Sequence, residues 1–170
     1  MNTISDASAT WAAVSQGLMP LPVSYTHLVL IAVGKEDGPV LLADACHHGD
    51  EHEGAEGIIA AFNDMDVEKM KGAFIGIPVI NVEAFAEGRR YGTQDYVPLD
   101  MNRSYSQMTT GTLTKHITSF YMEKCIRHSS AVITIHGGGN GLYLEPITDY
   151  QHMGDDEVSR TSQGLSLIHI

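Results

Sequence analysis

Residues 39–65 read PVLLADACHHGDEHEGAEGIIAAFNDM. An apolar run, a polar cluster and an amphipathic segment follow one another directly. Residues 39–45 are rich in Val and Leu and begin at a proline, which predicts a strand. Residues 53–65 place apolar side chains at helical spacing, which predicts a helix. Strand, loop and helix in that order make the unit from which α/β domains are built. Between them, residues 45–57 hold three histidines, four carboxylates and three glycines.

The same grammar extends outward. LVLIAV (28–33), GAFIGIPV (72–79) and AVITIHG (131–137) are further predicted strands, and TGTLTKHITSFYMEKCIRH (110–128) is a second helix. In that helix Leu113, Ile117, Phe120, Tyr121, Cys125 and Ile126 recur near helical spacing. The turn GKEDGP before Val40 predicts that the first two strands form a hairpin, whereas the later strands, reached across long connections, are expected to run parallel. The expected fold class is therefore α/β, with a mixed, largely parallel central sheet flanked by helices. Residues 82–109 show little periodicity and are expected to be a functional loop.

Composition narrows the function. The chain has 170 residues, 43% of them hydrophobic, enough for one domain with a real core. A net charge of -11 with only ten Lys and Arg argues against nucleic-acid or anionic-membrane partners, which need clustered cations. A small molecule or a cation fits better. Cys46 and Cys125 are expected to be reduced thiols of a cytoplasmic protein. The N-terminal residues lack the basic and apolar regions of a signal peptide, and no apolar run approaches the roughly 18 residues that cross a bilayer.

Sheets of this kind bind ligands beyond the carboxyl ends of their strands, where His48 and His136 both stand. A catalytic zinc takes three protein ligands and keeps one position for water. His48 and Glu51, at i, i+3, can point to one side of a tight turn, with Asp50 between them facing elsewhere and Gly49 permitting the bend. His136, ending an apolar strand before GGGNG, is the best third ligand. Two other readings compete. HGDEH also matches the H-x-x-E-H pattern of inverted zincins, which needs His48 and His52 on one regular helix; the whole cluster could also be a solvated acidic loop.

DGPVLLADACHHGDEHEG, IPVINVEAFAEGRRY, LDMNRSY and AVITIHGGGNG, taken in order over residues 35–141, resemble the succinylglutamate desuccinylase and aspartoacylase family of zinc hydrolases. The resemblance implies a zinc carboxypeptidase-like (phosphorylase/hydrolase-like) fold, one Zn2+ held by His48, Glu51 and His136, and catalytic and substrate-binding roles for Arg90, Asn102 and Arg103. Arg89 competes for the place of Arg90. The implied activity is deacylation, the hydrolysis of an amide or ester bond in an N-acyl amino acid or similar small carboxylate-bearing substrate. Alternatives are a zinc carboxypeptidase acting on peptides and a non-catalytic metal- or ligand-binding module.

The chain departs from the family pattern in two ways. The family's catalytic glutamate lies well beyond the third ligand, whereas only Glu145 and Glu157 follow His136 here. The aspartate common two residues before that histidine is Thr134. Moreover, VSYTHL (23–28) and LSLIHI (165–170) translate from different frames of one nucleotide word resembling a transposon end used in sequencing libraries. Both segments are expected to be non-native. Residues 1–170 are then one hydrolase catalytic domain, incomplete at its C-terminus, with its general base missing.

Overall fold

The computed structural model describes residues 29–105, 111–145 and 147. The segments 23–28 and 165–170, and Glu157, lie outside the described residues. Four strands, β1 (Leu30–Val33), β2 (Glu36–Ala45), β3 (Lys71–Ile77) and β4 (Ala131–Ile135), form one sheet in the order β1-β3-β2-β4. Both β3 and β4 run parallel to β2, while β1 is antiparallel to β3. The mixed, largely parallel sheet is as expected.

The hairpin is not. β3 enters between β1 and β2, so the strands joined by the GKEDGP turn are not neighbours. Local alternation identifies a strand but not its partner. Here β1 meets the middle of β3, Ile31 opposite Ile75 and Ala32 opposite Phe74.

Alternation along β2 assigns its two faces. Ala43 and Ala45 join Leu30, Ala32, Ala55, Ile58 and Phe74 in one core cluster, to which helix α1 (Glu53–Asp64) contributes Ala55 and Ile58. Leu42 joins Ile80, Met101 and Tyr121 on the opposite face. That face is covered by α3 (Leu113–Lys124), which supplies Tyr121. A sheet between two helical layers results, as α/β chains require. Gly54 lets α1 sit close, because a Cβ there would lie 2.7 Å from Ala45 Cβ and 2.9 Å from Ile135 Cγ2.

Two sequence expectations need correction. In α3, Leu113 and Phe120 are exposed, whereas Thr114 and Thr118 are buried. Thr118 can be inside because its one hydroxyl proton is shared between Ser104 O and Lys115 O. The connection 82–109 also contains structure: helix α2 (Val82–Glu87), capped by the Asn81 side chain and ended by Gly88 in the left-handed conformation, and a 3-10 turn at Met101–Arg103. Asp95 ties its part of the connection to the start of α3 by accepting from Leu113 N at 2.7 Å and Thr114 N at 3.2 Å. No helix of the described residues is long and apolar enough to cross a membrane.

Candidate metal centre

The loops that leave adjacent parallel strands β2 and β4 meet at the sheet's carboxyl edge. His48 and Glu51 come from the first loop and His136 from the second, and their ligand atoms all lie within 4.8 Å of one another. Glu51 is the hub. Its Oε1 is 2.7 Å from His48 Nδ1, and its Oε2 is 2.7 Å from His136 Nδ1 and 3.1 Å from Gly137 N. Burial raises the Glu51 pKa, but the His136 hydrogen bond, Gly137 N–H and His48 outweigh it and hold the carboxyl below its ordinary range.

His48 provides a test of fit. Its Nδ1 faces Glu51 while its Nε2 lies 2.9 Å from Asp100 Oδ1. A neutral imidazole has one N–H, and carboxylates only accept. Both contacts are therefore satisfied only if a second proton, or a metal ion in its place, lies on the Glu51 side. With Nε2–H donated to Asp100, Nδ1 is free to ligate, which is the arrangement a carboxylate partner imposes on a metal-binding histidine. Two imidazole nitrogens and a carboxylate oxygen are the donor set of a catalytic zinc site. The residues fit the ion.

The cluster's other members are now sorted. His52 does not ligate: α1 begins at Glu53, and His52 Nε2 lies 2.7 Å from Gly49 O with its ring against Phe85. The regular helix required by the inverted-zincin reading is absent here, because His48 lies in the preceding loop. Asp50 does face elsewhere, accepting from Asn140 N at 3.2 Å and so tying the HGDE loop to the glycine-rich one. Gly49 serves space rather than bending; its φ is not positive, but a Cβ there would lie 1.9 Å from Ala84 C. His47 is buried beside the site, its ring centroid 5.6 Å from that of His136. Burial, then His136 and His48, push its pKa down to about 3.

Of the arginines, Arg90 enters the site. Its Nη1 donates to Glu51 Oε1 at 3.1 Å and its Nη2 to Asp100 Oδ2 at 3.4 Å. Arg89 is more exposed and lies 3.6 Å from Glu87. Arg103 and Asn102 are exposed and reach the centre through Asp100, Arg103 by Nη1 at 2.5 Å and Asn102 by its backbone N–H at 3.0 Å. Asp100 is the residue the sequence reading missed. Burial raises its pKa, but the hydrogen bond and charge of His48, then Arg103 and Arg90, bring it below the ordinary value. A cleft of about 360 Å³, lined by Arg89, Arg90, Tyr91, Gly92, Thr93, Asp95 and Pro98, opens beside Arg90.

The succinylglutamate desuccinylase/aspartoacylase catalytic-domain model matches residues 37–170. The chain belongs to this family. An N-alpha-acetyl-L-2,4-diaminobutyric acid deacetylase of Halomonas elongata is 27% identical over 154 residues, covering 86% of this chain and 44% of that protein. Among solved structures, a succinylglutamate desuccinylase/aspartoacylase from Rhodobacter sphaeroides superposes with a TM-score of 0.72 at 21% identity, over 80% of this chain and 41% of that one. Bovine thrombin-activatable fibrinolysis inhibitor, solved with a tick carboxypeptidase inhibitor, gives 0.58 at 16% identity, over 96% and 68%. These two likenesses establish the carboxypeptidase-like fold that the desuccinylase/aspartoacylase resemblance implied. The chain spans less than half the length of the curated relative it matches.

Proposed function

We propose that this chain carries the zinc centre of a deacylase that hydrolyses the amide, or ester, bond of an N-acyl amino acid or similar small carboxylate-bearing substrate. The observation that carries this reading is Glu51 meeting His48 Nδ1 and His136 Nδ1 through its two oxygens, with Asp100 behind His48. His48, Glu51 and His136 would hold the ion, which when bound polarises the scissile carbonyl and acidifies a water molecule.

The chain's own groups do the rest. Asp100 fixes the His48 tautomer, so that the same nitrogen always faces the centre. Arg90, lining the cleft, offers a planar fork to the substrate's carboxylate. Arg103 and Asn102, exposed and bonded to Asp100, would meet the same anion and the carbonyl oxygen as it gains charge. A proton acceptor for the attacking water completes the chemistry; of the two glutamates after His136, Glu145 is exposed. We assign the base to neither, and expect the purified chain to bind zinc and turn over slowly. Free thiols at Cys46 and Cys125 suit a cytosolic setting.

Zinc titration calorimetry on the purified chain, with metal analysis, tests the centre. Stoichiometric uptake abolished by His48→Ala is expected; uptake unchanged by that substitution would overturn the assignment. Hydrolysis of N-acetyl and N-succinyl amino acids compared with dipeptides tests the substrate class. Preference for dipeptides would favour a carboxypeptidase.

A further inference from the structure

The HGDE loop and β4 bring the metal ligands together, yet their hydrogen bonds to one another at the ligands run through Glu51, which a metal ion would engage. Besides the β2–β4 ladder and the Asp50–Asn140 bond, one buried side chain ties the two segments together beneath it. We propose that Asp44 is a positioning residue for the metal centre, tying the strand that ends in His136 to the loop that carries His48. The inference rests on the metal-binding reading above.

Asp44 is fully buried and stands opposite Thr134 in the β2–β4 register. Its Oδ2 accepts from Thr134 Oγ1 at 3.2 Å, two residues before His136, and from the Tyr121 hydroxyl of α3. Its Oδ1 lies 3.2 Å from His47 Nδ1, one residue before His48. Both atoms are buried and, among the described residues, neither forms a hydrogen bond, so the two lie in close contact without one. The Tyr105 hydroxyl closes the far side of the His47 ring at Nε2. One carboxylate thus touches both segments that carry ligands and the helix packed beneath them.

The Asp44 charge favours one proton arrangement on His47. The Nδ1 side of the His47 ring faces a carboxylate, whose charge favours a proton on Nδ1 and leaves Nε2 to accept from Tyr105.

Energetics says that this carboxylate is not there to stabilise the core. Asp44 continues the apolar face of Leu42, where a buried carboxylate costs free energy that a packed aliphatic side chain would not. Its place is explained by what it holds: the Thr134 hydroxyl two residues before His136, the Tyr121 hydroxyl and the edge of the His47 ring.

The experiment uses the whole chain, zinc as the probe and two variants. Asp44→Asn keeps the volume but removes the charge that favours a proton on His47 Nδ1. Thr134→Val removes one hydroxyl at an exposed position of β4. Both are expected to weaken zinc binding by about tenfold or more in titration calorimetry, the size of effect typical of groups that orient metal ligands. Asp44→Asn is also expected to move the His47 tautomer balance away from Nδ1–H in nitrogen NMR of the metal-free chain. If Thr134→Val, or a folded Asp44→Asn, binds zinc within about twofold of wild type, positioning by Asp44 is overturned while the metal centre stands. A wild-type chain that takes up no zinc would overturn both.

Discussion

Asp100 Oδ1 lies 2.9 Å from His48 Nε2, on the far side of the imidazole from Glu51. The histidine is gripped by carboxylates at both nitrogens, and only one of them can be replaced by metal without losing the ring's orientation. Asp100→Asn should therefore weaken zinc binding by roughly 10–100-fold, read by competition with a chromophoric chelator. The same substitution should lower the gain in melting temperature that added zinc produces, because a ligand stabilises only in proportion to its occupancy of the folded state.

Arg90 spans Glu51 and Asp100 with its two terminal nitrogens and lines the adjoining cleft. A lysine would keep the charge and lose the fork. Arg90→Lys is expected to weaken binding of a carboxylate product, such as acetate or an amino acid, by about tenfold, corresponding to roughly 1.4 kcal/mol. Calorimetric titration of the zinc-loaded chain measures it. Arg89→Lys should leave that affinity unchanged.

Gly49 faces the α2 backbone with no room for a methyl group, since its Cβ would fall 2.2 Å from both Ala84 O and Phe85 N. Backbone cannot swing aside as a side chain can. Gly49→Ala should cost about 2–3 kcal/mol of stability in urea unfolding, and it should also displace the loop that carries His48 and Glu51.

Asp44 gives a pH signature. Burial raises its pKa from 3.8 to about 6, even though Tyr121 and Thr134 pull the other way. Between those values the folded chain binds more protons than the unfolded one, so this group's contribution to stability falls as pH rises through the window. Wild type should lose up to about 3 kcal/mol from this source between pH 4 and pH 7. Asp44→Asn should not lose it. The stability difference between the two, measured by denaturation at each pH, should move toward the variant as pH rises.

How much was visible in advance depended on whether the signal was local. The α1 bounds, the placement of His48 and His136 at strand ends, and the reading of Asp50 as facing elsewhere all follow from short stretches of chain. Partnerships do not. That Asp100 meets His48, or that Asp44 meets Thr134, is fixed by sheet register and by the path of the 88–100 connection, which no periodicity encodes. The failed hairpin has the same cause: a turn can join two strands without making them neighbours. Helix α2 was more accessible, because Asn81 before it and Gly88 after it are ordinary start and stop signals. Its six residues are too few for periodicity to show.

The pairing of β2 with β4 has a kinetic meaning. Val40 and Ser130, bonded beside that ladder, are 90 positions apart, and Glu51 and His136 are 85 apart. Closing so long a loop is slow compared with forming α1 or its neighbouring turn. Until β4 docks, the nascent chain holds only two of the three proposed ligands together. Acquisition of tight zinc affinity would then serve as a clock for the last stage of refolding, lagging behind the recovery of helical circular dichroism.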